Sequence, residues 1–515
     1  MTARVHYKDY TTYKYGSISA ECAVFAKPED MFDREAEWAA LTRFAADTRA
    51  GATLGVVSGR RRQGKTFLLD ALSKAGSGFF FEATEATDAE SLMRIGALLG
   101  AFTGAPFPPR PADWHEVLDA LLALGRREPV TVVIDEFPYL VKANPSLPSV
   151  IQAAFGPRRA ERVGSQTRLL LCGSAMSFMG RLLSGTAPLR GRAALEMLVQ
   201  TLDYRLAAQF WGIEDPALAV LLYTVVGGTP AYRDGAAGGR GPASIAEFDA
   251  WVVDNVLDRF SPLFREARYL LAEEPDIRDN AVYHSVLAAV AEGNATRGGI
   301  AGYLGRKSTD ISHHLSVLED TGLLTREIDA FRPGRSFYRI NEPLIAFYHA
   351  VMRPEWSRLE RQGRAGEVWQ ASTRRFLGGV VGPRFEQICR DWTLDHAPSS
   401  LLVTPPTHVG YGVVNDPQNK TNHEVDIVAT GLDPAGARVL LALGEAKWQD
   451  QMGLGHLRRL ERVRELLTRA GQPGAESAAL LCFSGADISP ALIQAAADRA
   501  DVHLIGLDEL YGRTD

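Results

Sequence analysis

Two clusters of residues have the types and spacing to do chemistry on phosphate esters. The first is Gly59-Arg60-Arg61-Arg62-Gln63-Gly64-Lys65-Thr66, a complete G-x-x-x-x-G-K-T loop. Its glycines, Gly59 and Gly64, let backbone N–H groups turn toward phosphate oxygens; Lys65 reaches the outer phosphates, and the Thr66 hydroxyl suits Mg²⁺. About 70 residues on, the apolar run Val130–Ile134 ends in Asp135-Glu136. There Asp135 is placed to bind Mg²⁺ through water and Glu136 to orient or deprotonate an attacking water. Together these residues predict binding and hydrolysis of ATP with Mg²⁺. The triple Arg60–Arg62 reads as a solvated or phosphate-facing loop edge.

The second cluster is Glu424-Val425-Asp426-Ile427-Val428-Ala429 followed, 19 residues after Asp426, by Glu445-Ala446-Lys447. Two β-type runs separated by a Pro-Ala-Gly turn present these groups, and residues two apart on a strand share a face, so Glu445 and Lys447 point the same way. Two carboxylates and a lysine at strand ends suit Mg²⁺-assisted attack on a phosphodiester.

Such groups need a scaffold, and short apolar runs at Thr53–Ser58, Phe79–Phe81, Val130–Ile134 and Leu169–Cys172 alternate with helical stretches. That pattern predicts an α/β parallel sheet with covering helices. Before it, a helix is expected with Asp33 as N-cap and Trp38, Leu41 and Phe44 on one face. Residues 205–270 turn helical, interrupted by Gly227-Gly228-Thr229-Pro230. Three helices (279–292, 298–304, 309–321) and a hairpin of Leu323–Ile328 with Phe337–Ile340 then predict a winged helix-turn-helix. Lys307, Ser308, Thr309, Ser312 and His313 lie at the start of its recognition helix, where such modules meet DNA. Arg332 and Arg335 are expected at the wing tip, in reach of phosphate. Adjacent His313 and His314 point to different helix faces, which argues against a shared metal.

These motifs together resemble the archaeal-type ATPase branch of the STAND/AAA+ superfamily: Asp33-Arg34-Glu35, the Arg-rich phosphate loop and Asp135-Glu136 all match. Leu169–Ser174 resembles the sensor strand, which implies that Ser174 feels the γ-phosphate. Pro188-Leu189-Arg190-Gly191-Arg192 resembles the family's Pro-Leu-aromatic-Gly-Arg element, and 227–232 its lid motif. By that resemblance Arg192 is the finger that neutralises charge on the transferring phosphoryl group; Arg190 stands where an aromatic is usual, so either arginine could serve. The terminal block resembles the PD-(D/E)XK nuclease core, with Glu386, Asp426 and Glu445 as metal ligands and Glu445 and Lys447 as catalytic groups.

The expected architecture is therefore an N-terminal extension (1–30), an AAA+ P-loop domain (31–204), a helical lid (205–275), a winged helix (276–345), a helical connector (346–379) and a PD-(D/E)XK-like α/β domain (380–515). The function expected is an ATP-driven switch, through conformation or homo-oligomer assembly, acting on DNA with a metal-dependent deoxyribonuclease. The alternative is a regulatory or signalling scaffold whose nuclease fold is inactive.

Bulk properties fit an ordinary multidomain globular protein of 515 residues with 46% hydrophobic and 23% charged positions. A net charge of −6 leaves any DNA contact to local patches. The chain has 47 Arg and only 9 Lys, and both Lys65 and Lys447 are among the nine. The four cysteines form no C-x-x-C pair, against a disulfide framework or thiolate zinc site. No apolar run approaches the ~18 residues of a membrane span and no signal peptide opens the chain, so a cytoplasmic protein is expected. Arg458, Arg459 and Arg462, interspersed with Glu461 and Glu465, read as a solvated helix face.

Overall fold

The computed structural model describes residues 25–272, 274, 277 and 280–513, so most of the extension expected at 1–30 lies outside the described residues. The chain divides into two compact units, 1–201 with 273–276, and 202–272 with 277–515. No helix among the described residues is long and apolar enough to cross a membrane.

In the first unit five strands, β1 (Thr53–Ser58), β2 (Phe79–Glu82), β3 (Val130–Asp135), β4 (Thr167–Gly173) and β5 (Ala193–Leu198), form one sheet in the order β2-β3-β4-β1-β5. Every pairing is parallel. Parallel sheets are covered on both faces, and the alternation of side chains shows how. Val132, Ile134, Leu169 and Leu171 enter one core with Trp114, Leu118 and Ile151. Val133, Leu170 and Cys172 enter the opposite core with Trp38, Leu41, Leu69 and Leu72. This is an α/β fold consistent with a P-loop AAA+ domain. Strand β5 was not foreseen: as a half-exposed edge strand it carries no continuous apolar run.

The first helix, Glu35–Ala45, buries Trp38, Leu41 and Phe44 as expected, but Asp33 is not its cap. Asp33 and Arg34 are both left-handed (φ 55° and 73°), and the helix begins after Arg34 without a side-chain cap. Tertiary bonds hold this turn: Arg34 donates to the Gln200 carbonyl at 2.7 Å, and Lys27 to that of Asp33 at 2.8 Å.

The second unit opens with helices including Tyr204–Trp211 and Pro216–Val226. Gly228 is obligatory after them, since a Cβ there would come within 1.8 Å of the Leu202 carbonyl oxygen. Helices Asn280–Ala291, Arg297–Tyr303 and Ser312–Asp320 follow, then an antiparallel hairpin of β6 (Leu324–Asp329) and β7 (Arg332–Ile340). The terminal sheet has the order β12-β11-β10-β9-β8. Its strands are β8 (His408–Asp416), β9 (Thr421–Leu432), β10 (Arg438–Lys447), β11 (Ala479–Ser484) and β12 (Val502–Ile505). β8, β9 and β10 pair antiparallel, and β10, β11 and β12 parallel. Helix Gly382–Asp395 packs one face through Phe385, Ile388 and Trp392. Helix Leu454–Arg469 packs the other through Leu457, Leu460 and Val463.

The hairpin corrects one expectation. Asp329 pairs with Arg332, so the turn is Ala330-Phe331, and Arg332 and Arg335 lie within β7 rather than at a tip. Proline tolerates an edge strand, and Pro333 sits exposed there. The true tip is seated on β8. The Ala330 N–H donates to the Tyr411 carbonyl at 3.0 Å, and Phe331 fills the space a side chain at Gly412 would need. Buried Asp329 ties both parts together, its Oδ1 accepting from the N–H groups of Phe331 (3.0 Å), Arg332 (3.2 Å) and Val413 (3.3 Å). Removing this acceptor strips the buried Val413 N–H and the half-buried N–H groups of Phe331 and Arg332 of their partner, so Asp329→Ala should cost about 2 kcal/mol. A lowered urea midpoint for the second unit would register it; an unchanged midpoint would count against this role.

Candidate functional site

Because β1, β4 and β3 are neighbours and parallel, whatever follows each of them meets at one edge of the sheet. The phosphate loop follows β1, Ser174 follows β4, and Asp135-Glu136 closes β3. Gly59 (φ 153°) and Gly64 (φ 86°) take backbone conformations that side chains resist. A Cβ on Gly59 would also strike the Val199 carbonyl at 2.6 Å. Helix Lys65–Ala75 then starts from Gly64 with its N–H groups toward the loop.

The polar groups are already in register. Thr66 Oγ1 donates to Asp135 Oδ2 at 2.7 Å, and Asp135 Oδ1 accepts from the Glu136 N–H at 2.8 Å. Lys65 is buried, and its Nζ donates to the Arg60 carbonyl at 2.8 Å, a bond that phosphate oxygens can replace. Desolvation lowers the Lys65 pKa, which the carboxylates of Glu136 and Asp135 partly oppose. Glu136 is held in the left-handed region (φ 49°), an uncommon state for a non-glycine residue that re-aims its side chain. Ser174 Oγ donates to the Glu136 carboxylate, 3.1 Å from each oxygen. Burial first, and the Asp135 charge second, raise the Glu136 pKa, which makes it a stronger proton acceptor than a solvated carboxylate. The adjoining hydroxyl and carboxylate of Thr66 and Asp135 are the hard oxygen donors that Mg²⁺ prefers.

Two further residues complete this site. Arg61 donates through Nη2 to Tyr139 Oη (2.8 Å) and through Nε to Ser174 Oγ (3.3 Å). An open cleft of about 440 Å³ adjoins them, lined by Arg61, Arg62, Glu82, Thr84, Glu136 and Tyr139 among others. Arg61 lay within a motif that reads as loop edge, and Tyr139 carries no spacing signal beyond following Glu136 by three residues. Arg192 is not brought to the loop. It precedes β5, whose Ala193 pairs with Leu54 at the start of β1, whereas the phosphate loop leaves the other end. Arg190 donates to the Gly185 carbonyl at 2.6 Å.

In the terminal sheet, Gly444 pairs with Ile427, which sets Glu445 beside Asp426. β9 has one residue more than β8 here, since Val428 and Val425 pair with Gly410 and Gly412; a bulge of this kind re-aims a side chain. Asp426 Oδ2 accepts from the Ala446 N–H at 3.0 Å and lies 3.7 Å from Lys447 Nζ. Fully buried Glu445 is ion-paired with Lys447 (2.6 Å) and with Arg459 from the facing helix. Glu386 lies on the other covering helix, 3.9 Å from Arg390, which in turn donates to the Asp426 carbonyl at 2.8 Å. Thus Asp426 and Lys447 come together as expected, but Glu445 is taken up by two cations. Among the described residues no three His, Cys, Asp or Glu side chains form a group that could hold a metal ion. Arg459 and Arg462 are also not a plain solvated face: Arg462 binds Asp416 at 2.9 Å.

Of the residues expected to meet DNA, Lys307, Ser308, Thr309 and His313 are exposed. Ser312 is half-buried and accepts from Arg297. Arg332 and Arg335 are half-buried, and the Arg335 guanidinium lies over the Phe337 ring at 4.9 Å. The hairpin tip is Ala330-Phe331, seated on β8, so these two arginines do not lie at a wing tip.

No protein-family model matches the chain. An uncharacterized protein of Methanocaldococcus jannaschii is 25% identical over 345 residues, 66% of this chain and 72% of its own length. Among solved structures the chain is similar to a Walker-type ATPase of Pyrococcus abyssi, at 19% identity and a TM-score of 0.48, over 63% of this chain and 97% of that one. It is also similar to the ORC2 protein of Aeropyrum pernix, at 16% identity and a TM-score of 0.39, over 68% and 97%.

Burial, reinforced by the Asp426 charge, pushes the Glu386 pKa from 4.5 up to about 7. Because the folded value is the higher, its stabilisation is complete below about pH 4.5 and is lost as pH rises through about 7. In metal-free buffer, Glu386→Gln should therefore raise the urea midpoint at pH 8 and change it little at pH 5. Equal effects at both pH values would contradict this placement of the proton.

Proposed function

We propose that this chain is an ATP-hydrolysing switch whose first unit turns over Mg²⁺-bound ATP and whose second unit acts on DNA. The observation that carries the proposal is the convergence of Lys65, Thr66, Asp135, Glu136 and Ser174 at one sheet edge. The loop N–H groups and Lys65 would bind the phosphates, while Thr66 and Asp135 would hold Mg²⁺, whose charge would offset that of the phosphates. Glu136 takes the proton of the attacking water, and Ser174 links that carboxylate to the occupancy of the γ-site. Arg192 precedes β5 at the end of the sheet away from the phosphate loop, so a finger role for it would have to be exercised on the nucleotide of another copy in a homo-oligomer.

For the second unit, we read the three helices and hairpin as a winged helix that offers Lys307, Ser308, Thr309 and His313 to DNA. We read the terminal sheet as a PD-(D/E)XK-like nuclease domain. Mg²⁺ binding by Asp426, Glu445 and Glu386 would require these three, which form no metal-binding group as they stand, to draw together and Glu445 to exchange Arg459 for the metal, with Lys447 then free to steady an attacking water. A second reading, a regulatory scaffold without cleavage, is favoured by that same engagement of Glu445 with Lys447 and Arg459.

ATP hydrolysis assays test the first unit. Lys65→Ala should abolish nucleotide binding, whereas Glu136→Gln should bind ATP but turn over about 10²–10⁴-fold more slowly. Full turnover in Glu136→Gln would overturn the assignment. For the second unit, Mg²⁺- or Mn²⁺-dependent cleavage of linear, circular or single-stranded DNA should vanish in Asp426→Ala. Absence of cleavage under all conditions, with ATP turnover intact, selects the scaffold.

A further inference from the structure

The phosphate loop of this chain carries its own arginine to the place where charge would build during hydrolysis. Arg61 lies between the two glycines of the loop, and its guanidinium donates to Ser174 Oγ at 3.3 Å. Ser174 accepts that bond and donates its own proton to Glu136, so Arg61, Ser174 and Glu136 form one directed chain. The other end of the guanidinium is fixed by Tyr139 Oη at 2.8 Å. Tyr139 belongs to helix Phe137–Ala143, which begins directly after Glu136, so one short segment supplies both the proton acceptor and the group that aims the arginine. Arg61 therefore stands beside the two residues that flank the γ-phosphate position, on the side facing the open cleft.

Arg192 has no comparable access within the same chain. β5 is six residues long and runs from Arg192 toward the loop end, which separates the two by about 20 Å at ~3.3 Å per residue.

Resting on the reading of this site as an ATPase, we propose that Arg61 is a catalytic residue that acts in cis. It neutralises the γ-phosphoryl oxygens in the transition state, and Tyr139 is its positioning residue. In the step served, the water oxygen bonds to the γ-phosphorus as the bond from that phosphorus to the β–γ bridging oxygen breaks. ADP leaves with the electron pair, and Glu136 accepts the proton of the water. Arg61 bears on the terminal oxygens, to which its planar fork can donate two bonds. A charge delivered from the loop itself needs no second copy to complete the site.

The test is steady-state ATP hydrolysis by the full chain, with ADP affinity measured in parallel as the check that each variant keeps its fold. Arg61→Ala should lower kcat by about 10³-fold or more, the range such arginines supply, with ADP affinity retained. If Arg61→Ala fails to bind ADP, Arg61→Lys carries the test: it keeps the charge, loses the fork and should still lose most of kcat. Tyr139→Phe should lower kcat by about ten-fold with KM unchanged, the worth of one bond to a charged group. Mixing Arg61→Ala with Glu136→Gln distinguishes cis from trans. A cis arginine leaves the mixture as slow as its parts, whereas restored turnover means Arg61 acts on a neighbour and overturns the proposal. Hydrolysis that requires Lys65 but is unchanged in both Arg61 variants overturns it alone. Absence of hydrolysis in the wild type overturns the proposal together with the ATPase reading.

Discussion

The hydrogen bond of 2.7 Å from Thr66 to Asp135 is the contact on which the chemistry proposed for the first unit depends. It exists because two strands end at the same level of one parallel sheet, with β4 between them. Parallel order is costly in connections, each needing a covering helix, but it delivers three chain segments to one edge with their loops free of the core. Everything polar in the site follows from that edge: a loop with helix N–H groups behind it, two carboxylates, and a serine that joins one of them to an arginine. The apolar alternation of Val132, Val133 and Ile134, and of Leu169, Leu170 and Leu171, fixes the strand ends by burying both faces.

The terminal sheet sets its charged groups differently. Glu445 is buried among cations, Glu386 is raised toward neutrality, and Arg390 lies 3.9 Å from both Glu386 and the hairpin's Glu327. A buried carboxylate must be paired or protonated, and the terminal domain uses both solutions, pairing at Glu445 on β10 and a raised pKa at Glu386 on the covering helix. Through Arg390 and Asp329 the hairpin is tied to the sheet that carries Asp426.

Much of this was legible in the sequence, for identifiable reasons. Gly59–Thr66 and Val130–Glu136 are local patterns whose spacing encodes their own geometry. Leu169–Cys172 and the pair of runs around Asp426 and Glu445 announced strands through continuous burial. What escaped depends on partners distant in the chain. Arg332 and Arg335 were expected at the hairpin tip, yet the turn lies at Ala330-Phe331, where Asp329 caps it and also accepts from Val413, 84 residues away. Asp33 resembles an N-cap, but Lys27 and Gln200 draw the backbone into a left-handed turn. Arg61 and Arg459 are unremarkable in an arginine-rich sequence until the fold sets Ser174 and Glu445 opposite them. Arg192 was assigned by resemblance alone, and only strand order shows which end of the sheet it occupies.

The most direct test of the account is ATP binding measured by calorimetry, with and without Mg²⁺, on the wild type and on Asp135→Asn. The Thr66–Asp135 pair should make wild-type binding of ATP tighter in Mg²⁺, and Asp135→Asn should lose about 10- to 100-fold of that gain. Binding without Mg²⁺, held by the loop N–H groups and Lys65, should stay nearly unchanged. An identical Mg²⁺ response in the two proteins would show that the metal, and with it the hydrolytic centre, is not organised by this contact.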